Sequence, residues 1–216
     1  MDNASSVKRL TTLGWRVMRI GNVLQVKRGG SPRPIDEYIT TKEDGMNWLK
    51  IGDIKKGAKY ITNTSSKILK EGVKMSTKVN IGDFILSNSM SYGRPYIMNI
   101  EACIHDGWLT FQEINLNLVT RDFLYYLLTH PKTQSIFQSI SAGSGVQNLK
   151  KETVSEIRLL LPPIPEQNRI VSILETWDKA IGKLTKKLSL LKDQRKFLLN
   201  NLITGAIRTP ENLRTL

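Results

Sequence analysis

Pro162-Pro163-Ile164-Pro165-Glu166-Gln167-Asn168-Arg169-Ile170 marks the point where the chain changes character. Beyond it, Ile170, Leu174, Trp177, Ile181, Leu184, Leu188, Leu191, Leu198 and Leu202 recur in alternating steps of four and three, with one break at Arg195. That spacing is a heptad seam. Ile170, Trp177, Leu184, Leu191 and Leu198 take d positions, and Leu174, Ile181, Leu188, Arg195 and Leu202 take a positions. Pro165 suits a first helical turn and Gly205 suits the residue just past a helix end. One helix over 166–205 is predicted, about 40 residues and roughly 60 Å long.

A stripe as narrow as a/d needs another helix to cover it. The 161 residues upstream contain no second heptad run, so the expected partner is a helix from another chain. Arg195 at an a position is a polar insertion of the kind that fixes register, or it snorkels out of the seam.

Upstream, short apolar runs alternate with Gly, Asn, Ser and Asp. Strands are predicted over 15–20, 23–27, 48–51, 84–87, 96–100, 109–111 and 157–161. Turn material such as Gly29-Gly30-Ser31-Pro32, Asp44-Gly45 and Ser91-Tyr92-Gly93 lies between them. Helices are predicted over 120–129 with Thr120 as N-cap, over 133–140, and over 151–155. The Gly143-Ser144-Gly145 stretch reads as a loop. The fold class is therefore α+β: a β-rich mixed domain over 1–161, a Pro-rich junction over 162–165, one long coiled-coil helix over 166–205 and a tail over 206–216.

The 216 residues carry 32 Lys+Arg against 19 Asp+Glu, a formal charge of +13. Residues 1–100 hold 17 basic and 8 acidic side chains, so most of the surplus precedes the helix. Such an excess suits a polyanion, because each cation laid on a phosphate releases condensed counterions. No stretch has the roughly 18 uncharged apolar residues of a membrane span, and the first twenty lack the apolar core of a signal peptide. A cytoplasmic chain without a membrane association is expected. One cysteine, Cys103, and two histidines, His105 and His130, exclude a disulfide framework and a cysteine-based zinc site.

Two stretches have the composition of nucleic-acid contacts. Lys27-Arg28-Gly29-Gly30-Ser31-Pro32-Arg33 combines cations with glycines that allow close approach, and Lys27, Arg28 and Arg33 are the expected contacts. Ser87-Asn88-Ser89-Met90-Ser91-Tyr92-Gly93-Arg94 places Asn88, Ser89, Tyr92 and Arg94 on what is expected to be one exposed loop, with donors and acceptors that read base edges. Lys55, Lys56 and Lys59 are further candidates for phosphate contact only.

Two other readings of the residues stand beside this one. Asp36, Asp53 and Lys55 resemble the spaced carboxylates and lysine of a Mg²⁺-dependent nuclease, although Gly52-Asp53 and Gly82-Asp83 also read as turns entering strands. A coiled-coil DNA-binding regulator would use the same helix. Cys103 and His105 would share a face in a strand, but a buried thiol is the expected fate of Cys103. No P-loop or dinucleotide-binding glycine pattern occurs.

Ala142-Gly143-Ser144-Gly145-Val146-Gln147-Asn148-Leu149, the run from Ile157 through Pro162-Pro163-Ile164-Pro165-Glu166-Gln167 to Val171, and a heptad helix ending in Leu202-Ile203-Thr204-Gly205 resemble a known arrangement. They are similar to the end of a target recognition domain and the following helix in the specificity (S) subunit of type I restriction-modification systems. Gly14-Trp15, Ile20-Gly21, Gly29-Gly30-Ser31-Pro32 and Gly82-Asp83 resemble its opening and middle. The resemblance implies a non-catalytic, double-stranded-DNA-binding subunit with no cofactor of its own. It also implies methyltransferase (M) subunits that hold S-adenosylmethionine and flip the target base, and a restriction (R) subunit that joins for cleavage. Such subunits ordinarily carry two recognition domains and two helices, whereas this chain holds one of each. A natural half-size subunit or a truncated product is implied; if natural, an antiparallel homodimer through the seam restores the missing half and demands a palindromic, interrupted site.

Overall fold

A computed structural model describes residues 13–55, 57–88, 93–142 and 148–209. It divides into two compact units, Met1–Arg169 and Ile170–Leu216.

The first unit contains twelve strands among the described residues. They are β1 Arg16–Arg19, β2 Gln25–Arg28, β3 Ile39–Thr40, β4 Met46–Leu49, β5 Tyr60–Ile61, β6 Ser66–Ile68, β7 Thr77–Val79, β8 Phe84–Ser87, β9 Pro95–Met98, β10 Ala102–Ile104, β11 Trp108–Gln112 and β12 Arg158–Leu161. Its shorter helices are α1 Lys70–Val73, α2 Arg121–Thr129, α3 Pro131–Ala142 and α4 Lys151–Ser155, and the long helix α5 Ile164–Ile203 begins within it.

Two five-stranded mixed sheets, in the orders β3-β6-β4-β10-β7 and β2-β11-β8-β9-β5, enclose the core. Leu49, Val79, Ala102 and Ile104 from the first sheet meet Ile61, Ile85, Tyr96, Met98 and Trp108 from the second. Strands β8, β9, β10 and β11 are buried at every residue, which explains why they are mostly apolar: both faces are covered, so no regular polar alternation is needed, and the few polar residues, Ser87, Thr110 and Gln112, are buried with them. On β4 and β10 the two-residue period is visible. Leu49 and Ile104 enter the core between the sheets, while their neighbours Trp48 and Cys103 join Ile68 in a second cluster on the opposite face.

β1 pairs antiparallel with β12, Arg16 opposite Leu161 and Arg19 opposite Arg158, and the Ile20 amide donates to the Ile157 carbonyl at 2.9 Å. The described start of the unit is thereby fastened to the strand that leads into Pro162-Pro163. Thr120 caps α2 as expected, its Oγ1 accepting from the Phe123 amide at 3.3 Å, and α2 buries Phe123, Leu124 and Leu128. α3 is longer than the predicted 133–140.

Gln167 holds the first turn of α5. It is fully buried (0% exposed). Its Nε2 donates to the carbonyls of Leu118 (2.8 Å) and Pro162 (2.9 Å), and its Oε1 accepts from the Thr120 amide (2.8 Å). All three partners are backbone groups outside regular strands and helices, buried at Pro162 and partly buried at Leu118 and Thr120, which Gln167 supplies with partners. Next to it, Trp15 Nε1 donates to Glu166 Oε2 at 3.1 Å. The Pro-Pro-x-Pro-Glu-Gln run thus anchors the first turn of α5 within the first unit.

The second unit, Ile170–Leu216, is the remainder of α5 and the residues after it. The helix spans Ile164–Ile203, two residues earlier at each end than predicted, and Gly205, with φ +71°, donates its amide to the Leu202 carbonyl at 3.2 Å. That is a left-handed C′ residue, which glycine adopts at no steric cost. Among the seam residues Ile170 is half-buried, and the other eight are exposed by 37 to 66%. Ile173, Leu190, Phe197, Leu199 and Ile203 add further exposed apolar surface.

Candidate nucleic-acid interface

Residues 28–33 are clamped to the turn at 104–108. The Gly29 amide donates to the Trp108 carbonyl (2.9 Å) and the Gly30 amide to the Ile104 carbonyl (3.0 Å). Arg28 Nε donates to the Asp106 carbonyl (3.2 Å), Ser31 Oγ to Asp106 Oδ1 (3.3 Å), and the Arg33 guanidinium lies 3.9 Å from Asp106 Oδ2. The glycine at 29 is required by this approach, because a Cβ there would stand 1.9 Å from the His105 carbonyl oxygen. Asp106 therefore gathers Arg28, Ser31 and Arg33 on one rim. Lys27, the preceding residue on β2, faces the other way by the strand period, and its Nζ lies 4.0 Å from Glu113. Of the expected contacts in the stretch 27–33, Arg28 and Arg33 therefore share one rim and Lys27 lies on the other face.

Behind the rim lies a cavity of about 530 Å³ between the 31–39 segment and the 105–106 turn, with Trp48 and Lys50 also in its wall. The His105 ring sits between Trp48 and Trp108, with ring centroids 6.1 and 6.0 Å away. Its Nδ1 accepts from the Gly107 amide at 2.9 Å. Burial pushes the imidazole below its ordinary pKa, with the charge of Asp106 opposing. His105 is therefore neutral near pH 7, with its proton on Nε2.

The 87–94 stretch departs from expectation at Asn88, whose side chain is fully buried (0%) and not on an exposed loop. Ser89 and Tyr92 lie outside the described residues. Arg94 is exposed and borders a cavity of about 330 Å³ shared with Gly57, Pro95, Tyr125 and Gln134. This cavity has no residue in common with the one behind Arg33.

Of the lysines, Lys55 is exposed and Lys56 lies outside the described residues. Lys59 is committed to the protein: its Nζ is 2.8 Å from Asp122 Oδ1 and lies over the rings of Tyr60, Tyr125 and Tyr126 at 4.8 to 5.6 Å. Burial lowers the Lys59 pKa, but Asp122 and Tyr60 outweigh it and the net shift is upward. This lysine fastens α2 to β5.

Of the two carboxylates of the nuclease reading, Asp36 is exposed and Asp53 has structural work, which Asp83 resembles. Asp53 accepts from the Lys50 amide (2.8 Å) with one oxygen and the Ser65 amide (3.0 Å) with the other. Asp83 accepts from the Asn80 amide and Gln112 Nε2. Both close turns entering a strand or connection. Among the described residues no three His, Cys, Asp or Glu side chains converge to hold a metal ion. Cys103 is buried, and burial raises its thiol pKa. His105 and Gln167, which sequence reasoning did not assign, become visible only through the cavity and the hydrogen bonds. No helix among the described residues is long and apolar enough to cross a membrane.

Residues 12–192 match the family model for the type I restriction modification DNA specificity domain. Similar curated proteins include the MjaVIII type I restriction enzyme specificity subunit of Methanocaldococcus jannaschii, 24% identical over 196 residues that cover 89% of this chain and 43% of the relative. The putative specificity subunit S.HindORF215P of Haemophilus influenzae is 28% identical, with 86% and 48% covered. Among solved structures, the HsdS subunit from Thermoanaerobacter tengcongensis superposes with a TM-score of 0.66 at 20% identity, over 87% of this chain and 44% of that one. The chain spans less than half the length of these relatives. With the family match extending over both β-sheets and most of α5, the chain belongs to the type I restriction modification DNA specificity domain family.

Proposed function

We propose that this chain reads one half of a split DNA site with its β-rich unit, pairs with a second copy through α5, and presents the paired helices to methyltransferase and restriction subunits. The observation that carries the reading is the seam. Eight apolar a and d residues are exposed by 37 to 66% on one helix, and a stripe of that length is stable in water only when another helix covers it. Antiparallel pairing about a two-fold axis turns two identical readers toward opposite halves of a palindromic, interrupted target. Leu190 and Phe197, at c positions beside the seam, leave apolar surface for the methyltransferase subunit, which supplies the S-adenosylmethionine chemistry and flips the base.

The test is Leu184→Glu. A carboxylate at a central d position has to be desolvated against its counterpart helix, so the variant is expected to sediment as a monomer while its β-rich unit keeps the wild-type circular dichroism and melting. A variant that remains a dimer rules out the seam as the interface.

A further inference from the structure

The structure assigns a base-reading role to the cavity behind the Arg33 rim: we propose that His105, Arg33 and Lys50 together recognise the major-groove edge of a guanine in a G·C pair. This assignment rests on the DNA-reading role proposed above and names the residues and base that carry part of it.

The donor and acceptor inventory selects the base. His105 Nδ1 is occupied by the Gly107 amide at 2.9 Å, so the ring offers a single Nε2–H donor. Arg33, with 82% of its side chain exposed, and the exposed Lys50 add donors only. Guanine presents two major-groove acceptors, N7 and O6, whereas adenine presents N7 beside an N6 amine that would oppose these donors. Asp36, exposed in the same wall, is the acceptor for the N4 amine of the paired cytosine. Ser31 and Asp106, in the same wall, are bonded to each other, and the Arg33 guanidinium stands 3.9 Å from the second oxygen of Asp106. The rest of the wall is apolar, with Pro32, Ile35, Ile39 and Trp48, which lowers the local dielectric and sharpens hydrogen-bond discrimination.

Hydrogen-bond readout needs donors held in place. The backbone contacts of Gly29 and Gly30, the bonds from Arg28 and Ser31 to Asp106 and the two tryptophans beside His105 fix this wall before DNA arrives. Burial keeps His105 neutral, so it reads as a donor and not as a phosphate-seeking cation.

The full chain is incubated with a pool of randomised duplex DNA and the bound fraction is sequenced, for wild type, His105→Phe and Arg33→Gln. Phenylalanine retains a ring between the tryptophans but has no donor. The expected result is a wild-type motif containing a guanine. Preference at that one position should fall about tenfold in His105→Phe, with the other positions and the salt dependence unchanged. Arg33→Gln, at an exposed side chain that folding does not depend on, is expected to relax the same position, and it decides the matter if His105→Phe melts early. Loss of preference at a base other than guanine, uniform weakening on all sequences, or no change in either variant overturns the pocket assignment alone. A folded wild-type chain that selects no motif overturns the DNA-reading proposal and this assignment with it.

Discussion

Replacing Gln167 with leucine tests whether the Pro-Pro-x-Pro-Glu-Gln run is a structural seat. Leucine nearly conserves the volume, so no large cavity opens, but the Leu118 and Pro162 carbonyls lose their donor and the Thr120 amide its acceptor. Each stranded buried backbone group costs about 1–3 kcal/mol. Two of the three bonds are only partly buried, so the low end applies to them, and the gain from burying a more apolar side chain offsets about 1 kcal/mol. A net loss of about 3 kcal/mol is expected. For a chain of this size it lowers the Tm by about 6–12 °C. Gln167→Glu should be worse at neutral pH, because a carboxylate then faces two carbonyls. The same environment raises its folded-state pKa, so the folded form binds the extra proton and the variant regains stability as pH falls. Asn168→Leu, at the exposed neighbouring position, should stay within about 0.5 kcal/mol of wild type. Differential scanning calorimetry at pH 5.5 and 7.5 measures all three. A Gln167→Leu midpoint within about 2 °C of wild type would falsify the reasoning, as would a pH-independent Gln167→Glu.

Gly29→Ala forces a Cβ to 1.9 Å from the His105 carbonyl; backbone must shift, and chemical denaturation should show a loss of about 2–3 kcal/mol. His105 is held below its ordinary value of 6.5 by burial against Trp48 and Trp108, with Asp106 opposing and Arg33 and Lys50 lining the same cavity. Below pH 6.5 the unfolded chain takes up this proton before the folded one does. Acidification from there should destabilise wild type more than His105→Phe, in urea titrations at pH 5.5 and 7.5. If Arg94 contacts a phosphate, Arg94→Ala weakens all DNA sequences alike and reduces the slope of log K against log salt by about one, while a base contact relaxes one position instead; filter binding across salt concentrations separates the two.

The helix was legible in the residues because its signal is local. A period of 3.5 over five repeats, a proline at the start and a glycine at the end need no knowledge of what surrounds them, and α5 falls within two residues of the predicted span. The same holds for Thr120 as a cap and for the buried strands β8 and β11, where β-branched and aromatic runs are long enough to read. Strands β3, β5, β6, β7 and β10 were not anticipated. They are two or three residues long, too short for a period to show, and exist because a neighbouring strand supplies their hydrogen bonds.

What the sequence determined by itself was an α+β chain with a β-rich part followed by one long heptad helix, since each follows from composition and short-range spacing. Which cations stand together was decided by tertiary structure. Lys27 and Arg28 are adjacent in the chain yet face apart across β2, Lys59 is spent on Asp122 and three tyrosines, and Asn88 lies inside. Arg33 and His105, 72 positions apart in the sequence, meet at one cavity because Gly29 lets two backbones touch. Pairings of that kind are set by close approach between distant segments, a property no local spacing encodes.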